Sequence, residues 1–395
     1  MKKRQTRRSV FVSDTDRLHG YPASAVGNLV GVVAAISAGG AGAVFWMWIT
    51  ALLGSSTAFI EGTLAQLHKE KDPLYGGFHG GPAYYMHHFF AKRKDGTYRK
   101  YSVLAVLFAI SGLICWCGIS QVISNSVTSA FENAFSIPPL ATTIILVVLA
   151  ALLYSEKCNR KGFGHHGSDH GMCILYFYCH YHSYTPRTEP DVFARIFQEA
   201  FGFRQVAAGG FGAVLMNGVK RGLFSNEAGS GSAPCAAAAA KSDDAVKIGL
   251  VQSLGVFIDT IVICTCTAMI LLLVPQELTN GLVGMDLLQT AMQYHLGTFG
   301  TIFIAATLAM FSFSTFIGIL FYARSNVAYL FGNKWCYQTA YKIVALVMLF
   351  IGGLAAYTTV WDLGDVGVGL MTIFNLMALY PMGGQALKAL RDAGK

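Results

Sequence analysis

An all-α polytopic membrane protein is the fold class the sequence predicts, on three observations. Only 13% of the 395 residues are charged and 54% are apolar, where a soluble domain carries about 25% charged residues. The mean hydropathy is +0.48. Apolar runs of about 20 residues, the length that crosses a hydrocarbon layer of about 30 Å, recur along the chain. So few charges cannot clothe a water-soluble surface, which excludes soluble globular, disordered, coiled-coil and collagen-like classes. The 43 glycines, 18 tyrosines and 5 tryptophans fit the membrane class, because glycine is common in membrane helices and Tyr and Trp gather at the interfaces.

The elements follow in order. The basic start MKKRQTRR is not followed by an apolar run, so a cleaved signal is not expected and the first membrane segment serves as the insertion signal. Residues 28–40 are apolar but short and glycine-rich. The runs 43–67, 101–130, 248–274, 296–320 and 341–360 are long enough to span. Residues 139–154 and 366–380 are shorter and plausible, and 206–219 is again short and glycine-rich. Basic residues set the orientation. The loop 68–100 carries Lys69, Lys71, Lys92, Arg93, Lys94, Arg99 and Lys100 and is placed in the cytoplasm, together with Lys157, Arg160, Lys161, Lys241, Lys247, Arg324, Lys334, Lys388, Arg391 and Lys395. Segments 131–138 and 275–295 lack basic residues and are placed outside, as are Asp362 and Asp365. Lys220 and Arg221 are placed near the inner surface. The alternation closes only if one more span lies between Lys161 and Arg187. The +8 net charge is read as this loop excess rather than as a nucleic-acid surface, and the nine cysteines as small apolar side chains rather than a disulfide framework.

Two glycine-interrupted stretches at membrane depth stand out: AVGNLVG at 25–31 and AAGGFG at 207–212, the latter after an amphipathic stretch at 191–201. Interrupted helices in corresponding places of two halves point to a transporter site. Unwinding frees backbone N–H and C=O groups that hydrocarbon cannot satisfy but a carboxylate or an alkali cation can. Glycine-mediated helix packing is the better account of either stretch alone; the pair, one in each half, favours a site. Asp259, in the middle of an apolar run, costs about 2.5–3.5 kcal/mol to insert and marks a functional position by default.

Five motifs resemble one family. They are GGAGAVFWMWITALLG at 39–54, VKRGLFSNEAGSGSAP at 219–234, GVFIDT at 255–260, FSFST at 311–315 and VWDLGD at 360–365. Together they are similar to the sodium:alanine symporters, also called alanine or glycine:cation symporters, over residues 27–155 and 190–390. The resemblance implies an inverted five-plus-five repeat of the LeuT type in a bacterial cell or inner membrane. It also implies symport of a small neutral amino acid, alanine or glycine, with Na⁺ (H⁺ being the other candidate ion), without an organic cofactor, enzyme chemistry or nucleic acid. Carried over by residue, Gly27 and Asn28 lie in the first broken helix and Gly209, Gly210 and Phe211 in the second. Asp259 and Trp361 border the substrate. Gly27, Ser314 and Thr315 supply oxygens to sodium, and Asn226 and Glu227 form a gate or a structural cap. Ser and Thr hydroxyls in membrane helices also bond back to their own backbone, and Trp361 also suits an interfacial anchor.

Two segments depart from the family pattern. Residues 1–24 are polar and basic where the family has apolar helix. Residues 156–188 are rich in His, Cys and Tyr where a span belongs. Three readings compete for the second: a metal site drawn from Cys158, His165, His166, His170, Cys173, Cys179, His180 and His182; a degenerate span; or an out-of-frame stretch, favoured by the abrupt compositional edges. The organisation expected is therefore 1–24 outside the family pattern, a first repeat at 25–155 (one broken helix and three spans), the aberrant segment at 156–188, and a second repeat at 189–395 (one broken helix and four spans). An inactive remnant and a membrane metalloprotein are the alternatives to an active symporter. The C-terminus is expected in the cytoplasm.

Overall fold

A computed structural model describes residues 26–93, 95–153, 189–201 and 210–394. The segments 1–24 and 156–188, Gly209, the further span expected before Arg187 and all eight His and Cys candidates for a metal lie outside the described residues.

The described chain is a helical membrane bundle. It begins with α1 (Gly27–Gly39), then α2 (Gly42–Leu67). A short hairpin, β1 (Glu70–Lys71) with β2 (Phe78–His79), and α3 (Pro82–Phe90) fill the loop after α2. Helices α4 (Val103–Phe135), α5 (Pro139–Leu153), α6 (Glu189–Glu199), α7 (Gly210–Asn226) and α8 (Ala233–Ala239) follow. Then come α9 (Ala245–Leu272), α10 (Gln276–Thr279), α11 (Gly284–Leu296), α12 (Thr298–Phe331), α13 (Trp335–Leu354) and α14 (Tyr357–Ala393). Six of these, α2, α4, α9, α12, α13 and α14, are long and apolar enough to cross a membrane.

The boundaries correct the hydropathy reading in two places. The last two spans divide at Ala355 and Ala356, whose extended backbone separates α13 from α14, so Val360 belongs to the final helix. Helix α14 is also a full-length span rather than a short one, because Asp362, Asp365 and Pro381 are accommodated inside it. The expected run, 366–380, stopped at Asp365 and Pro381, its immediate neighbours in sequence. The structure supplies Asp365 with cationic partners instead.

The helices gather into two groups. Helices α1, α7 and α9 pack around α2, whereas α12, α13 and α14 pack around α4. Close backbone approach binds each group internally. A Cβ on Gly218 of α7 would overlap Trp46 and the Ala43 carbonyl of α2, and one on Gly367 of α14 would overlap the backbone of Cys115 in α4. Helix α6 caps the first group at the start of α2. There Glu199 Oε2 accepts the Ala41 amide at 3.0 Å and the Ala200 carbonyl accepts Trp46 Nε1 at 2.7 Å.

The ends of the bundle sort by charge. At one end Lys69 donates to the carbonyls of Ala240 (3.3 Å) and Ser242 (3.1 Å), and Arg324 pairs with Asp72 at 3.1 Å. The loops assigned to one side by their basic residues therefore do meet. At the other end Asn133 donates to Asp286 at 2.7 Å, joining the two segments that lack basic residues. At the basic end Asp72 is nearly inaccessible. Burial would raise its carboxyl, but the His79 ring 3.6 Å away and the Arg324 guanidinium outweigh this and hold it at about 2.

Candidate functional site

The first interruption is a widened helical turn rather than a gap. Residues Gly27–Gly31 form a π-helical turn that continues directly into the α-helix at Val32. A second π-turn, Ile258–Cys264, lies inside α9. Such turns insert an extra residue and re-aim the side chains around them, often at functional sites. Here the two pack against each other. Asn28, from the first, donates through Nδ2 to Asp259 Oδ1 of the second at 2.5 Å. The Ser225 hydroxyl, near the end of α7, faces Asn28 Oδ1 at 2.7 Å and Asp259 Oδ2 at 3.1 Å. Cys264 Sγ closes the cluster, 3.0 Å from Ser225 Oγ. All four side chains are buried. Among the described residues no Lys, Arg or His forms an ion pair with Asp259.

The structure thus brings Gly27, Asn28 and Asp259 together and adds Ser225. Gly210 and Phe211 are elsewhere. They open α7, 14–15 residues before Ser225, and at 1.5 Å of rise per residue that is about 22 Å away along the helix. Phe211 is 44% exposed and packs edge-on against Trp46, ring centroids 5.8 Å apart. Part of α7's second interruption, 202–209, lies outside the described residues. The part of α7 that reaches the cluster is its C-terminal end. There Asn226 Oδ1 accepts the Ala228 amide at 3.0 Å and Glu227 takes a left-handed conformation with φ 55°. Asn226 therefore caps the turn.

A second buried network lies beside this turn. Glu61 of α2 accepts the Gly229 amide at 2.8 Å and Asn375 Nδ2 at 2.5 Å. Asn375, on α14, also donates to the Gly229 carbonyl at 3.0 Å and accepts from Tyr85. Glu61 is 1% exposed. The sequence reading passed over it, although an acid in the apolar run 43–67 meets the criterion that singled out Asp259.

Lys220 and Arg221 both turn toward α14. Arg221 makes a bidentate pair with Asp365 of α14 at 2.8 and 3.0 Å, and Lys220 reaches the same carboxylate at 3.4 Å. Residues in direct contact cannot lie on opposite faces of a membrane, so the inner placement of Arg221 and the outer placement of Asp365 cannot both hold. The guanidinium also lies 3.9 Å over the Trp361 ring. Trp361 packs on Phe224 at 4.9 Å and is 4% exposed, so it is a buried platform rather than an interfacial anchor.

On α12 the hydroxyls divide differently from the expected pair. Ser314 bonds back to the Phe311 carbonyl at 2.9 Å. Ser312 and Thr315, one helical turn apart on one face, are buried with hydroxyls that find no partner among the described residues. Among the described residues no group of three His, Cys, Asp or Glu side chains gathers in a way that suits a metal ion.

Comparison with known proteins agrees with this architecture. The sequence model of the sodium:alanine symporter family matches residues 12–394. The probable sodium/glutamine symporter GlnT of Bacillus subtilis is 40% identical over 93% of this chain and 75% of its own length. The sodium/alanine symporter AgcS of Methanococcus maripaludis is 33% identical over 91% of this chain and 78% of its own. Among solved structures, a manganese transporter of Eremococcus coleocola superposes with a TM-score of 0.59 over 95% of this chain and 79% of its own, at 13% identity. At that identity the likeness is one of fold alone, the LeuT-like fold of membrane transporters.

Proposed function

The chain belongs to the sodium:alanine symporter family of membrane transporters, and from that premise we propose that it couples Na⁺ to the uptake of a small neutral amino acid through the Asn28–Ser225–Asp259 cluster. One observation carries the reading. Asp259 is a buried carboxylate whose described partners, Asn28 and Ser225, are neutral. A buried charge is costly unless it is paired. The α-ammonium of an amino acid supplies the missing charge and three donors for the oxygens of Asp259 and Asn28. The substrate carboxylate then takes backbone N–H groups at the widened turns, where helical hydrogen bonding is looser. Gly31 lets α1 pack closely on Phe224 of α7, which leaves little room beside the cluster and favours a small amino acid.

Sodium prefers hard oxygen ligands, and the orphaned hydroxyls of Ser312 and Thr315 offer two. Leaving a hydroxyl buried without a partner costs about 1–3 kcal/mol, and a bound cation offsets it. The Arg221–Asp365 pair over Trp361 ties α7 of one helix group to α14 of the other, in the position of a gate. The basic residues gathered at one end, Arg391 of α14 among them, support a cytoplasmic C-terminus, and membership of the family supports a place in the plasma membrane.

The test is uptake of labelled alanine into proteoliposomes under a sodium gradient. Asp259→Asn keeps the shape and removes the charge. Uptake is expected to fall at least a hundredfold, since about 3 kcal/mol of charge-assisted hydrogen bonding is lost. Sodium-driven uptake within twofold of wild type, from protein inserted at equal levels, would refute the assignment.

A further inference from the structure

Two histidines meet at the basic end of the bundle, away from the cluster just described. His68 is the first residue after α2, and His88 lies on α3. Their Nδ1 atoms are 3.3 Å apart, and the rings are tilted by 42° with centroids at 5.3 Å. The other nitrogen of each ring is already engaged. His68 Nε2 meets the Gln385 amide oxygen of α14 at 3.0 Å, and His88 Nε2 meets the Glu70 carboxylate at 3.2 Å. Both rings border a cavity of about 500 Å³ that Phe89, Lys92, Tyr98 and Gln385 also line.

Proton accounting makes this arrangement specific. A carboxylate and an amide oxygen only accept, so each Nε2 carries its ring proton. The two Nδ1 atoms then present lone pairs to each other at 3.3 Å, and something positive must sit between them. Two imidazole nitrogens bound to one tetrahedral ion, with bonds of about 2.0–2.1 Å, stand about 3.3–3.4 Å apart. Outer partners that accept the distal N–H of each histidine, one of them a carboxylate, are the usual support of histidine ligands.

We propose that His68 and His88 bind one divalent transition-metal ion, of the zinc and cobalt class, through Nδ1, with Glu70 and Gln385 holding the two rings in place. No third His, Cys, Asp or Glu among the described residues joins them, so the remaining positions go to water or a small anion from the cavity, where Lys92 offers a compensating charge. The site differs from the transport cluster in chemistry: nitrogen donors select borderline transition ions, whereas sodium takes oxygen. It also links the end of α2 to α14, so occupancy draws together the two helix groups at their basic end.

The test uses the purified full chain in detergent and Co²⁺ followed by its visible absorption, with Zn²⁺ displacement giving the affinity. His68→Gln and His88→Gln are each expected to remove one metal equivalent and its absorption. Gln385→Leu, which keeps both ligands, is expected to weaken zinc binding about tenfold. Reading wild type against variants separates this site from any metal held by the cysteines and histidines between 158 and 182. Equal metal content and equal zinc affinity in wild type, His68→Gln and Gln385→Leu would overturn the proposal. A proton shared between the rings would then be what holds them together.

Discussion

The Arg221–Asp365 pair makes an uneven demand on its two partners, and that unevenness can be measured. Arg221 and Asp365 expose only 8% and 15% of their side chains. Removing one partner of such a pair strands the other charge, at about 3–5 kcal/mol for a fully buried pair and less here because of the residual exposure. Asp365→Asn leaves both Arg221 and Lys220 without their carboxylate, and only the Trp361 ring, worth about 1–2 kcal/mol, remains against Arg221. Arg221→Met leaves Asp365 with Lys220, which already stands 3.4 Å away. We expect Asp365→Asn to cost about 3 kcal/mol and Arg221→Met about 2. At about 2.1 cal/mol/K per residue, a 395-residue chain has an unfolding entropy near 0.8 kcal/mol/K. The losses then appear as decreases of about 4 °C and 2–3 °C in the midpoint of thermal unfolding in detergent. The double variant is expected to lose no more than Asp365→Asn alone, a coupling of about 2 kcal/mol. If the two single losses add, or Arg221→Met is the more damaging, the pairing geometry given above is wrong.

Two further outcomes follow from the same reasoning. Thr315→Ala removes an orphaned hydroxyl and should leave the unfolding midpoint unchanged or slightly raised. At the same time, the sodium concentration for half-maximal uptake should rise about tenfold; an unchanged sodium dependence would remove Thr315 from the cation site. Asp72 has a folded-state pKa of about 2, depressed from 3.8, so the stability it contributes is present above pH 3.8 and is lost as pH falls toward 2. Asp72→Asn should cost about 1–2 kcal/mol at neutral pH after allowance for solvent screening, measured as a lower unfolding midpoint, and the difference from wild type should shrink below pH 4.

The spanning helices were legible because crossing hydrocarbon imposes a length and a composition, and both can be read along a chain. Asp259 was legible for the same reason: an acid inside an apolar run has to be explained. The form of the first interruption was not. GNLVG at 27–31 suits an unwound segment or a widened turn equally well, and only the packing of a second wide turn in α9 decides between them. Ser225 stayed hidden inside a motif whose Asn226 and Glu227 drew the attention. Its role depends on the register of α7 against α1, which nearest-neighbour sequence does not contain. Ser314 and Thr315 came from the resemblance of FSFST at 311–315, which says nothing of which hydroxyls share a face. On a helix the neighbour on the same face is three residues away. Loop charge placed Arg221 and Asp365 on opposite sides because that rule treats each charge as solvated, and it fails for two charges that solvate each other.

Within each helix group, glycine lets backbones touch. Between the groups, polar ties recur at successive depths: Arg221 with Asp365, Glu61 with Asn375, and His68 with Gln385. The two kinds of contact respond oppositely to water. A backbone-to-backbone seam has no room for water and nothing to offer it, so it stays dry and moves as one piece. An ion pair or amide bridge can hand its hydrogen bonds to entering water at little net cost, about 1 kcal/mol per bond. The boundary between the groups therefore carries contacts that water can take over and give back, set beside apolar packing such as Phe224 on Trp361 that it cannot.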